Sequence, residues 1–185
     1  MCGRAQDLDS SRALDQFLSS VERRALVMAR TATGDNDEAL DLVQDAMLRL
    51  VKHYSARPAA EWGPLFHRIL QSRIRDWYRR AQVRNRLRVW FGRRGENESG
   101  DIVEQQPDHH NPGPDASMAS NQAIVALEAG LRKLPLRQQQ AFLLRVWEGM
   151  DVAQTAHAMR CSEGSVKTHY FRALHRLRES LEDYW

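Results

Sequence analysis

The side chains best suited to chemistry lie between Cys161 and Arg178. Lys167, His169, Arg172, His175, Arg176 and Arg178 recur there at helical spacing, with Ser162, Ser165 and Thr168 at the start. Cationic groups bind phosphates, and Lys or Arg also bonds guanine edges. The Ser and Thr hydroxyls bond phosphates, and Phe171 offers an apolar contact for a thymine methyl. Val166, Tyr170, Ala173, Leu174, Leu177 and Leu181 form a separate stripe for burial. Ser165, Lys167, Thr168, His169 and Arg172 fall off that stripe near the helix N-terminus, the end a recognition helix pushes into a major groove. A solvated basic face on a plain helical hairpin is the bland alternative. The preceding segment tips the balance. An apolar helix, Leu136 to Trp147, breaks at Glu148-Gly149-Met150; Asp151 then caps Val152 to Met159, and Ser162 caps the basic helix. That is a helix-turn-helix.

A second cluster runs from Arg68 to Arg94, with ten Arg against one Asp. Arg68, Arg73, Arg75, Arg79, Arg80, Arg84 and Arg86 interleave with Trp77 and Tyr78. Guanidiniums supply phosphate contacts, and aromatic rings stack on unpaired bases at roughly 1–3 kcal/mol each. The combination suits single-stranded or melted DNA; the alternative is a soluble helix whose aromatics are partly core. A third cluster is Asp41-Leu42-Val43-Gln44-Asp45, where Val43 belongs to a buried stripe. Asp41, Gln44, Asp45 and Leu48 share another face, a docking surface or a solvated one.

The elements that must carry these groups are helices almost throughout, so the expected class is all-α. Ser11 to Thr33 is amphipathic, and Gly34-Asp35-Asn36-Asp37 closes it and supplies a cap. Glu38 to Tyr54 follows. Arg57-Pro58 and Gly63-Pro64 predict a loop, Ser55 to Pro64, before a long basic helix over 65–89. From Gly92 to Ser117 the chain is too poor in apolar residues to fold alone, and Gly95 to Asp115 carries six acids and no Lys or Arg. A structureless stretch of that length inside one compact domain is unusual, so it reads as a flexible linker at 92–119 between small helical domains at 8–91 and 120–185. Helical patterning resumes near Ser120, and Pro135 begins a further helix in its first turn.

The 185 residues carry a formal net charge of only +3, so the uneven placement of charge matters more than its sum. Cys2 and Cys161 stand far apart with no CxxC, which points to a reducing cytoplasm rather than a disulfide scaffold. No apolar run approaches the roughly 20 residues of a membrane span, and Asp7, Asp9 and Arg12 interrupt any signal-peptide core. His109-His110 lack metal-ligand spacing, and no nucleophile–base set is present. Neither an enzyme nor a metal or other cofactor is expected.

The order of these parts resembles the bacterial RNA polymerase sigma factors of the extracytoplasmic-function class, also called group IV. Asp41-Leu42-Val43-Gln44-Asp45-Ala46 looks like that family's core-polymerase-binding helix. Phe66-His67-Arg68-Ile69 through Asp76-Trp77-Tyr78-Arg79-Arg80 looks like its −10-element helix. Leu134 to Arg145, Glu148-Gly149 and Gly164 to His169 look like its −35-binding domain. The resemblance implies a region 2-like bundle and a region 4-like helix-turn-helix joined by the linker. It implies binding to the β′ clamp helices and β subunit of core polymerase through Asp41, Leu42, Gln44, Asp45 and Leu48. It implies −10 contacts from Arg57, Trp62, His67, Arg68, Ser72, Arg73, Arg75, Trp77, Arg79 and Arg80. It implies −35 contacts from Ser162, Ser165, Lys167, Thr168, His169, Phe171, Arg172 and Arg176. Transcription initiation at promoter DNA, melting of the −10 strand and restraint by an anti-sigma factor follow as expectations.

Three departures stand out. The loop Ser55 to Pro64 lacks the aromatic-Arg-Gly-Asp pattern of many relatives, with Trp62 as a substitute aromatic. Arg160 stands where relatives often have Gly, so strained backbone is expected there. His169 stands where Arg is common, which weakens the phosphate contact and makes it pH-sensitive. Tyr184-Trp185 either pack on the last domain or await a partner. The rival readings are a helix-turn-helix regulator that binds duplex DNA without polymerase, and an adaptor that docks on polymerase through the Asp41 helix.

Overall fold

The computed structural model describes residues 3–92 and 118–181. The expectations for the linker, for His109-His110, for Cys2 and for Tyr184-Trp185 lie outside them. Seven α-helices account for nearly all of the described residues: α1 (Gly3–Thr33), α2 (Asn36–Tyr54), α3 (Ala59–Gly92), α4 (Met118–Lys133), α5 (Leu136–Phe142), α6 (Val152–Met159) and α7 (Glu163–Leu181). The all-α class with an N-terminal and a C-terminal helical unit is the one expected from the sequence.

The turns form where local chemistry asks for them. Gly34, at φ +72°, ends α1, and Asp35 caps α2 by accepting from the Glu38 N–H at 2.9 Å. Asp151 and Gln154 form a reciprocal capping box at the start of α6. Ser162 Oγ accepts from the Ser165 N–H at 3.2 Å at the start of α7. Pro135 is the residue before α5, which begins at Leu136 as expected, and donates no N–H there. Arg160 closes α6 in the left-handed region at φ 52°, the strain expected of a non-glycine at that turn. After α5 the chain widens into a π-type turn over Leu143–Trp147, where the Glu148 N–H reaches Leu143 O at 3.1 Å.

The predicted loop at 55–64 is the main correction. Helix α3 begins at Ala59, just after Pro58, and runs through Gly63 and Pro64. A proline in the second helical turn forfeits one backbone bond. Burial of Trp62 offsets that loss: the indole is 3% exposed, donates to Tyr54 O at 3.2 Å, and lies 5.9 Å from the Phe17 ring. Tertiary packing therefore overrides the Gly-Pro signal.

Leu14, Val21 and Met28 of α1, Val43, Ala46 and Leu50 of α2, and Trp62, Phe66, Leu70 and Ile74 of α3 form the core of the first unit. Leu131, Leu144, Met159, Val166, Ala173 and Leu177 form that of the second. Helix α4 approaches α7 so closely at Gly130 that an added Cβ would stand 2.9 Å from Ser180 Oγ. The two units also pack on each other, α3 against α6 and α1 against α4.

Candidate nucleic-acid and polymerase interfaces

Helix α7 turns Val166, Ala173 and Leu177 inward, which leaves the opposite face to solvent. Ser162, Lys167, Thr168, Arg172 and Arg176 are exposed there, and Phe171 is 72% exposed. An apolar ring held in water costs free energy unless a partner covers it. Ser162 and Ser165 hydroxyls share a bond at 2.9 Å, and Thr168 Oγ1 donates to Gly164 O. His169 is half-buried, and burial first, then Arg137 and Arg172, hold its pKa below the ordinary value. The sequence-predicted groups of this helix thus share one exposed face, His169 and Ser165 at its margin.

On α2, Asp41, Gln44 and Leu48 are exposed on one face, Leu48 at 68%, with Asp45 beside them. Leu42 is 6% exposed and belongs to the core, so it is not available for docking. Asp45 is shared: Arg49 Nε stands 3.1 Å from Oδ1 and Arg73 Nε 2.9 Å from Oδ2. Asp45 of α2 and Arg73 of α3 therefore hold each other in this arrangement. Leu40 and Val51 add exposed apolar surface on α2.

Helix α3 does not present its predicted contacts as one open surface. Arg57, Arg79 and Arg80 are exposed; Ser72, Tyr78 and Trp77 are half-buried. The Trp77 indole donates to Glu38 Oε2 at 2.8 Å, which pins its ring to α2. Trp62 is inside the first unit and cannot stack on a base here. His67 and Arg75, at 3% and 8% exposure, lie beneath the second unit. His67 Nε2 is 3.2 Å from Glu148 Oε2, and Arg24 Nε is 3.5 Å from the other oxygen. Arg68 meets His157 at 3.2 Å. Arg75 donates to Met159 O at 3.0 Å, and burial, then Arg137, lowers its pKa. Gln139 of α5 donates to Leu131 O and to Thr31 O, so one amide bridges both units.

The residues that build this seam on the second unit, Arg137, Gln139, Glu148 and His157, were missed by sequence reasoning. Glu148 was legible only as a helix break. Three consecutive glutamines, Gln138-Gln139-Gln140, inside an apolar helix were the available signal, since buried amides require partners.

These units match known families in chain order. The pattern described as Sigma-70 region 2 matches residues 17–84, and that described as Sigma-70, region 4 matches residues 124–177. The RNA polymerase sigma-E factor of Streptomyces avermitilis is 30% identical, over 91% of this chain and 84% of its own. That of Streptomyces antibioticus is 32% identical, over 90% and 85%. The chain belongs to the extracytoplasmic-function sigma factors. Members of this family are initiation factors and not enzymes. The fold agrees with a solved structure, the sigma factor RpoE of Bartonella quintana in complex with the anti-sigma factor NepR. That likeness has a TM-score of 0.59 at 24% identity and covers 91% of this chain and 96% of that one.

In this sigma factor the seam lies between region 2 and region 4. It covers Arg75 of α3 with the region 4 helix α6, and His67 with Glu148 in the turn before that helix. No described helix is long and apolar enough to cross a membrane.

Proposed function

We propose that this sigma factor binds core RNA polymerase, guides it to promoters and stabilises the opened −10 strand. The first unit, 8–91, docks on the β′ clamp helices through Asp41, Gln44, Asp45 and Leu48. The linker at 92–119 threads through the polymerase, and the second unit, 120–185, reads the −35 duplex with α7. The observation that carries this reading is the sorted surface of α7, with an apolar stripe buried and Lys167, Thr168, Phe171, Arg172 and Arg176 left uncovered. Arg79, Arg80 and Arg57 supply phosphate contacts on the first unit, with Arg68, Ser72, Arg73 and Trp77 beside them. Flipping a base costs a few kcal/mol of unstacking, which binding only the opened strand offsets in part.

Promoter engagement then requires the seam to part, because His67 and Arg75 are covered in the closed chain. The Bartonella relative was solved with an anti-sigma factor. We infer that an anti-sigma factor also restrains this chain, which acts in the cytoplasm.

Run-off transcription with purified core polymerase on genomic fragments tests the reading. The expected result is promoter-specific RNA that Lys167→Glu/Arg172→Glu abolishes. Promoter binding of the same strength without polymerase would favour a stand-alone regulator. Unchanged transcription by the double variant would favour an adaptor.

A further inference from the structure

Closing the seam gathers positive charge from both units into one cleft of about 480 Å³. Arg75 and Arg79 of α3 face Arg137 of α5 and His169 and Arg172 of α7 across it, and Tyr78 contributes an aromatic wall. No carboxylate lines the cleft among the described residues. Two guanidiniums, one from each unit, converge on a single carbonyl: Arg75 Nη1 at 3.0 Å and Arg137 Nη1 at 2.7 Å both donate to Met159 O. A guanidinium carries five N–H donors, so one shared carbonyl leaves further donors on both for a ligand in the cleft. Arg75 is also more than nine-tenths buried. Asp76 offers a partial counter-field, yet the neighbouring Arg137, Arg160 and Arg79 oppose it. Like charges held this close in a partly desolvated site repel, and an anion seated among them relieves that repulsion.

We propose that this cleft is a binding site for a compact polyphosphate anion of two or three linked phosphates, either free or as the tail of a nucleotide. Arginine forks match phosphate oxygens in pairs, which a lone lysine does not. A cleft of this volume admits such a ligand, and its groups come from two units, so the anion binds only the closed chain. It therefore stabilises the closed state by mass action and competes with promoter DNA for Arg75, Arg79, His169 and Arg172.

The test uses the full chain at constant ionic strength, titrated by calorimetry with pyrophosphate, with GTP and with chloride as the control. The expected result is saturable binding of one pyrophosphate or GTP per chain. Arg137→Gln should weaken it at least tenfold, whereas Arg84→Gln, on an exposed turn of α3 away from the cleft, should not. Equal affinity for pyrophosphate and GTP assigns recognition to the phosphates; tighter GTP assigns the Tyr78 wall to the base. Circular dichroism checks that both variants stay helical. Absence of saturation, equal weakening by both variants, or binding reproduced by chloride overturns the proposal. The calorimetry contains neither polymerase nor promoter DNA, and run-off transcription reads promoter use directly, so failure here is separable from failure of the promoter reading.

Discussion

Glu148→Ala should open the seam between the two units. The Glu148 side chain is 4% exposed and stands 3.2 Å from His67 Nε2, itself 3% exposed. Its second oxygen faces Arg24, whose side chain is 48% exposed and returns to water at little cost. The loss therefore falls on His67. Leaving one buried polar group unpaired costs about 1–3 kcal/mol. Taking about 2 kcal/mol, the ratio of closed to open chains falls roughly thirty-fold. His67 and Glu148 belong to different units, so the penalty acts on closure and not on the folding of either unit. Energy transfer between dyes at His53→Cys and Arg132→Cys, both exposed, reads the change in a Cys2→Ser/Cys161→Ser background. Removing both partners should reverse the effect, because a buried polar pair replaced by apolar side chains is often neutral or stabilising. His67→Leu/Glu148→Leu should thus be more closed than Glu148→Ala alone. Equal opening in the single and double variants would refute the reasoning.

Three further outcomes are expected. Arg160→Gly should raise stability by about 1 kcal/mol, since it relieves the left-handed conformation at φ 52°, and a thermal melt reads it. Trp62→Ala should cost about 3–5 kcal/mol in the first unit, because a buried indole leaves a cavity, and loss of helical signal at lower denaturant checks it. His169 should titrate below its ordinary 6.5, owing first to burial and then to Arg137 and Arg172. The unfolded chain then holds this proton more tightly. The stability contributed is present above the unfolded value and is lost as pH falls through the lowered one. Phosphate affinity moves the other way, because imidazolium adds a contact. A proton NMR titration with a midpoint at or above 6.5 would contradict this.

Helix α7 was legible because its period sorted apolar from basic residues before any partner was known, and burial of Val166, Ala173 and Leu177 follows that stripe. The caps Asp35, Asp151 and Ser162 were legible because they act on backbone within three residues. Two placements were misjudged for one reason. Leu42 and Trp62 were assigned to binding surfaces, yet packing against neighbouring helices takes both into the core. A motif's order along the chain fixes which helix carries it and not which way each side chain turns.

Local sequence was enough to specify seven helices, the caps of α2, α6 and α7 and the basic face of α7, since propensity, capping and amphipathic period operate over a few residues. Only the tertiary structure placed Glu148 on His67, gave Gln139 a carbonyl from each unit and set Arg75 beside Arg137. The contacts between the units join residues scores of positions apart. Their energy depends on burial and direction, which no linear spacing encodes.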